Sequence, residues 1–223
     1  MDKINRLIGN AHLDPIWLWR WQEGCAEVLQ TFRSALDRLK EYNDFVFTCS
    51  SAAYYKWVED IDPQMFEEIR VMIKKGRWVP VNGWWVQPDC NMPSGESFVR
   101  QIREGQRYFM EKFGVCPTTG VNFDPFGHTV GLVQIMKKCG QDSYLFMRPL
   151  PRELKLPDSQ FIWRGLDGSE IKACRINSYN SPLGKSAESI RNQTARQTAP
   201  IGTIAWGVGD KVRVMETRPL SKD

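Results

Sequence analysis

Apolar positions along this chain switch repeatedly between two periods, and the switching predicts its elements. Residues 5–11 (NRLIGNA) are a short apolar run of strand length that ends at His12, Asp14 and Pro15. Over residues 26–42 the apolar spacing lengthens, with Val28, Leu29, Phe32, Leu36 and Leu39 recurring at helical intervals, and 44–49 (DFVFTC) returns to strand character. A helix over 63–75, ended by Gly76, precedes an aromatic-rich extended stretch over 77–86. Ser94, just after Pro93, opens a further helix that carries Phe98, Ile102, Phe109 and Phe113 on one face until Gly114 stops it. Residues 118–123 then read as a strand, 129–139 as a helix stopped by Gly140, and 143–147 as a strand.

Strands that alternate with helices predict an α/β fold, a parallel sheet or barrel with the helices outside, whose active site lies at the carboxyl ends of the strands. Both HLDP and DPFGH follow apolar strand-like runs, so chemistry and topology point to the same end. Beyond Arg148 the regularity weakens. Residues 161–164 and 170–176 flank Leu166-Asp167-Gly168-Ser169, a hairpin signal, and a helix over 187–196 and a last strand over 202–207 are expected near the end. No Pro/Gly/Ser-rich linker or repeat divides the chain, which reads as one domain.

Composition narrows the function classes. The net charge of +4 comes from 30 basic and 26 acidic residues dispersed through the chain, so nucleic acid is a poor candidate partner. No apolar run is long enough to cross a membrane, and the N-terminus becomes polar too early for a signal segment, so a cytoplasmic protein without membrane partners is expected. The six cysteines lie far apart without a CxxC pair and read as reduced thiols, not as a thiolate metal site.

Candidate chemistry then falls on few residues. His12-Leu13-Asp14 places an imidazole and a carboxylate on one side of an extended backbone, both good ligands for a divalent ion such as Zn²⁺. Asp124, in Phe123-Asp124-Pro125-Phe126-Gly127-His128, follows an apolar strand and a tight turn comes after it; it either caps the next helix or points into the mouth of a barrel. His12 and His128 are the only two histidines, and each lies close to an aspartate at a strand end. His128 suits an orienting role beside Asp124 better than ligation. Of the nine tryptophans, Trp17, Trp19, Trp21, Trp84 and Trp85 cluster near strand ends, where ring faces stack on sugars, whereas Trp57 and Trp78 read as core.

Taken together, NAHLDPIWLWRWQEG, GWWVQPDCNMPSGES, NFDPFGHTV and YLFMRP resemble, in order and spacing, glycoside hydrolase family 38, the retaining α-mannosidases, over residues 7–210. The resemblance implies a seven-stranded (β/α) barrel of parallel strands with helices outside, and one zinc ion that binds adjacent hydroxyls of a terminal mannose. It implies His12 and Asp14 as metal ligands, and Asp124 as both ligand and nucleophile, attacking the anomeric carbon to give a covalent glycosyl-enzyme. Arg148 matches an arginine beside this carboxylate, Trp17 and Phe126 match aromatic residues at the sugar subsite, and Asp89 is a further candidate for substrate contact. A mannose-containing oligosaccharide or glycoside is the implied substrate. The acid/base is not identified, because no carboxylate motif points to it.

Two departures stand beside the resemblance. After Trp206-Gly207-Val208-Gly209-Asp210 the family continues into a histidine, its fourth zinc ligand, where this chain has Lys211. The family's enzymes are also several times longer. Residues 1–210 therefore read as the catalytic domain and 211–223 as a divergent tail, the pattern expected of a frameshifted, truncated or partial product. Two alternatives follow: a catalytically inactive remnant that binds metal or sugar, and a metal-dependent polysaccharide deacetylase. The latter needs a helix-spaced histidine pair that His12 and His128 do not supply.

Overall fold

The computed structural model describes residues 6–156, 158–176 and 203–208, with side chains for 9–156 and 158–176. Among the described residues, eight strands and five helices follow in the order β1 (Arg6–Ala11), α1 (Trp21–Glu41), β2 (Phe47–Cys49), α2 (Ala52–Ile61), α3 (Pro63–Lys74), β3 (Trp78–Pro80), α4 (Gly95–Phe113), β4 (Thr119–Asn122), α5 (Gly131–Lys138), β5 (Ser143–Phe146), β6 (Gln160–Arg164), β7 (Glu170–Arg175) and β8 (Thr203–Val208). The α/β class and the parallel strands agree with the expectation. The strands form two sheets of four, ordered β3-β2-β1-β8 and β4-β5-β7-β6. The strand expected near the end is β8, and the expected helix over 187–196 lies outside the described residues. No helix among the described residues is long and apolar enough to cross a membrane.

The chain divides into two compact units, one of Met1–Cys49, Trp57–Val79 and Ser178–Asp223, the other of Ser50–Lys56 and Pro80–Asn177. In the first unit β1 is central, parallel to β2 (Ala11 opposite Cys49) and to β8 (Ala11 opposite Val208). Helix α1 buries Val28, Phe32, Leu36 and Leu39 of the predicted stripe together with Ala35, and leaves Leu29 half-buried. Its N-cap, Arg20, makes no side-chain cap bond, which is why the helix starts five residues before the sequence signals it. Phe32 and Phe47 both meet the Trp78 ring edge-on, at 4.9 and 4.7 Å between centroids, so helix and sheet share one aromatic core. Helix α3 has ordinary ends: Asp62 accepts from the Met65 backbone at 2.8 Å, Pro63 follows, and Gly76 leaves at φ +68°.

In the second unit β5 lies between β4 and β7, parallel to both, and β6 runs antiparallel to β7 across the expected hairpin. Helices α4 and α5 cover a core that joins Trp84, Phe98, Ile102, Leu132, Met136 and Tyr144. Gly105, inside α4, has a packing reason: a Cβ there would lie 2.4 Å from the Gly83 carbonyl. The predicted extended stretch over 77–86 pairs only at Trp78–Pro80. Asn82 (φ +70°) and Gly83 (φ +68°) then turn the chain, and Trp84 becomes fully buried core instead of a sugar platform.

Helix α2 carries no signal that periodicity detects, because Ala52, Ala53, Tyr54, Tyr55 and Val58 are all buried, leaving no polar stripe in its first turns. It starts directly after Ser51, buried at φ +74°.

Candidate functional site

Two groups of candidate residues sit at carboxyl ends of parallel strands, one in each unit. In the first unit His12 follows the last residue of β1 and is 5% exposed. Its Nε2 lies 3.5 Å from Asp14 Oδ1. Two ligands about 2.0–2.1 Å from a tetrahedral zinc are about 3.3 Å apart, so this imidazole and carboxylate are spaced to share one divalent ion. Among the described residues no group of three or more His, Cys, Asp or Glu side chains is gathered where a metal ion could bind.

The loop after His12 is tied down from two sides. Trp19 Nε1 donates to the Asp14 carbonyl at 3.1 Å, and a Cβ at Gly24 in α1 would lie 2.2 Å from the Pro15 carbonyl oxygen. Trp17 packs edge-on against Trp19 at 5.2 Å yet keeps 60% of its surface exposed. That leaves an indole open to solvent three residues past Asp14, the place expected for a sugar-stacking ring.

In the second unit the register sets the geometry. Asn122 stands opposite Phe146 in the β4–β5 pair. Asp124 and Arg148 each lie two residues beyond these partners, past the ends of β4 and β5, and Arg148 Nε forms an ion pair with Asp124 Oδ1. The capping alternative for Asp124 does not hold: α5 starts only at Gly131, and its N-cap is Val130, which makes no side-chain cap bond. The Asp124 carboxylate is ion-paired with Arg148 instead.

Around this pair stands a polar scaffold that sequence reasoning missed. Gln87 Oε1 accepts from the Phe123 backbone at 3.0 Å while its Nε2 donates to Ser50 Oγ at 2.6 Å, which fixes the chain just before Asp124. Asn122 Nδ2 donates to the Pro88 carbonyl at 3.0 Å and to Cys90 Sγ at 3.3 Å. Gln87, Pro88 and Cys90 all belong to the GWWVQPDCN motif, and that motif was the available signal. Burial pushes the Cys90 thiol up to about 11, so it stays a neutral thiol in this scaffold.

His128 meets Arg148 at its backbone. Its Nε2 lies 2.7 Å from the Arg148 carbonyl and its Nδ1 3.0 Å from the Tyr144 hydroxyl. Burial pushes this imidazole below its ordinary value, opposed by the Arg148 carbonyl. His128 also lines a cavity of about 440 Å³ together with Phe146, Pro149, Leu154, Phe161 and Trp163.

The remaining candidates are placed less tightly. Phe126 is 80% exposed, with its carbonyl accepting from Asn91 Nδ2 at 2.9 Å. Asp89 Oδ1 accepts from the backbone of Asn91 at 2.7 Å and of Met92 at 2.8 Å, so one of its oxygens is spent on a turn. Lys211 lies outside the described residues. Cys25, Cys49 and Cys90 are buried, Cys116 is exposed, and all six cysteines are free thiols, as expected.

Comparison with known proteins agrees with the motifs. Residues 4–213 match the Glycosyl hydrolases family 38 N-terminal domain. The chain is 34% identical over 165 residues to alpha-mannosidase G of Dictyostelium discoideum, covering 74% of this chain and 15% of that protein. It is 31% identical over 209 residues to an alpha-mannosidase of Saccharomyces cerevisiae, covering 91% and 19%. The chain thus spans under a fifth of the length of these relatives. Its fold is that of an alpha-mannosidase from Enterococcus faecalis V583, with a TM-score of 0.78 at 18% identity, covering 91% of this chain and 24% of that one. With four motifs in order, a match over nearly the whole chain and the shared fold, this chain belongs to glycosyl hydrolase family 38.

Proposed function

We propose that this chain is the metal-binding catalytic part of a retaining α-mannosidase, acting on a terminal α-linked mannose of an oligosaccharide or glycoside. The observation that carries this reading is the Asp124–Arg148 ion pair, two residues past the paired ends of β4 and β5. It sets a carboxylate against a guanidinium just past the end of a parallel sheet, where α/β enzymes concentrate their chemistry. In this reading Asp124 attacks the anomeric carbon and forms a glycosyl ester, and the leaving oxygen takes a proton from a second carboxyl about 5 Å away across the bond. Water then releases the sugar with the original configuration.

His12, Asp14 and Asp124 would hold one zinc ion. The imidazole-carboxylate spacing of 3.5 Å supports the first two as a pair. When bound, such an ion binds adjacent sugar hydroxyls and fixes the ring against the nucleophile. Trp17 and Phe126, both largely exposed, would present ring faces to the sugar, with Asp89 as a further polar contact. The parallel strands would belong to one seven-stranded (β/α) barrel domain over residues 1–210, in a cytoplasmic protein.

Elemental analysis of purified protein, paired with hydrolysis of an aryl α-mannoside, tests the proposal. The expected result is about one zinc per chain and turnover that falls about 10³-fold or more in Asp124→Asn. Equal hydrolysis by wild type and Asp124→Asn would overturn the nucleophile assignment. Lys211, at the position of the family's fourth ligand, favours a second reading, a metal- or sugar-binding remnant without turnover. Bound zinc with no hydrolysis would decide for that one.

A further inference from the structure

Arg148 is held at two points, and only one of them is the carboxylate it pairs with. Its guanidinium meets Asp124, while its backbone carbonyl lies 2.7 Å from His128 Nε2. A carbonyl oxygen only accepts, so Nε2 must carry the hydrogen. In a neutral imidazole Nδ1 is then an acceptor, and the hydroxyl of Tyr144 at 3.0 Å must donate to it. One tautomer and one direction of donation satisfy all three groups: Tyr144 O–H to His128 Nδ1, and His128 Nε2–H to the Arg148 carbonyl.

We infer that His128 is a positioning residue, transmitting the rigid placement of Tyr144 in β5 to the backbone of Arg148 and so fixing the guanidinium on Asp124. Tyr144 suits the anchoring end. It is 1% exposed, and its ring lies near-parallel to those of Trp84 at 6.3 Å and Phe146 at 5.6 Å. The imidazole is gripped as well, edge-on to Phe146 at 5.0 Å and to Trp163 at 6.0 Å. Burial disfavours the charged forms of both side chains, raising the Tyr144 phenol and lowering the His128 imidazole, in keeping with a neutral pair. The chain between Asp124 and His128 passes through Gly127 at φ +119°, a backbone conformation that favours glycine, and Asn91 Nδ2 holds the Phe126 carbonyl at 2.9 Å.

The value of this relay for catalysis rests on the α-mannosidase reading, but its geometry is testable without turnover. Only two histidines occur in the chain, so long-range ¹⁵N–¹H spectra of the intact protein resolve both rings. His128 is expected as the neutral Nε2–H tautomer, and Tyr144→Phe should shift its Nδ1 resonance while leaving Nε2 protonated. A hydrogen on Nδ1, or an Nδ1 signal indifferent to Tyr144→Phe, overturns the inference.

Two variants then separate positioning from packing. The amide of His128→Gln reaches the Nε2 position and can still donate to the Arg148 carbonyl, whereas His128→Asn is too short. The Arg148 Nε–H should exchange with solvent at a rate near wild type in His128→Gln and about 10- to 100-fold faster in His128→Asn. In an active preparation kcat should follow the same order with KM little changed. Equal exchange rates in the two variants would reduce His128 to a packing residue. Slow exchange without any mannoside hydrolysis would leave the relay standing and remove the glycosidase reading instead.

Discussion

At position 24 two ordinary tendencies oppose each other. Alanine is better than glycine in a helix interior by about 1 kcal/mol, and Gly24 lies in the first turn of α1. Yet its added Cβ would stand 2.2 Å from the Pro15 carbonyl oxygen, a backbone atom that cannot rotate away. Crowding of this kind costs about 1–3 kcal/mol, so Gly24→Ala is expected to be net destabilising in urea denaturation and to move the loop that carries Asp14. Gly95→Ala is the control: its Cβ would meet only Ile135 Cδ1 at 3.8 Å, so it should be neutral or slightly stabilising. Equal effects at the two positions would refute this account of Gly24. Single residues were legible unequally. Asp124 and His12 stand out because each follows an apolar run, a one-dimensional signal. Arg148 was placed beside Asp124 only by resemblance, since its local sequence says nothing of a partner 24 residues away; parallel register supplies that link. Gln87 and Tyr144 escaped notice for the same reason, their partners being brought to them only by folding.

Among the elements, α1 and α3 are joined by charges as well as by apolar packing. Glu68 accepts two hydrogen bonds from Arg33, at 3.0 and 3.2 Å, and one from Lys40 at 2.6 Å. The Arg33 bond, then the Lys40 bond, holds the Glu68 carboxyl below its ordinary 4.5. A carboxylate with a lowered folded-state pKa adds stability that is fully present above about pH 4.5 and disappears as pH falls through the lowered value. All three side chains keep solvent contact, so the network is worth about 0.5–1 kcal/mol at neutral pH. Glu68→Gln should therefore lower stability by about that amount at pH 7 and by nothing measurable at pH 2, as read from paired denaturation curves. A difference that persists at pH 2 would mean packing, not charge, is lost. Element type was legible where one face is buried, as in α1, α3 and α4. It failed at α2, whose early turns are buried all round, and at 81–86, where positive φ at Asn82 and Gly83 overrides an aromatic-rich pattern.

For the whole molecule, alternating periods gave the α/β class and the end of the sheets that bears the polar residues, because period and strand direction are set locally. They gave neither the division into two units nor the sheet order, which depend on contacts between segments such as β1 and β8 at opposite ends of the chain. The proposed metal reading also belongs to this scale, since Asp124 is far along the chain from His12 and Asp14, and Lys211 gives it a decisive variant. A charged ammonium has three donors and no lone pair, so it cannot ligate a cation and repels it instead. Lys211→His replaces it with an imidazole, a good zinc ligand at neutral pH. Zinc should then bind at least about tenfold more tightly than to wild type, and each tenfold adds about 1.4 kcal/mol to zinc-dependent stabilisation in thermal melts at fixed excess metal. Lys211→Met separates the two effects, because it removes the charge without adding a ligand. A gain for histidine well above that for methionine indicates ligation, whereas equal gains indicate relief of repulsion alone. If neither variant changes zinc affinity, position 211 is remote from the metal and the fourth-ligand correspondence is wrong.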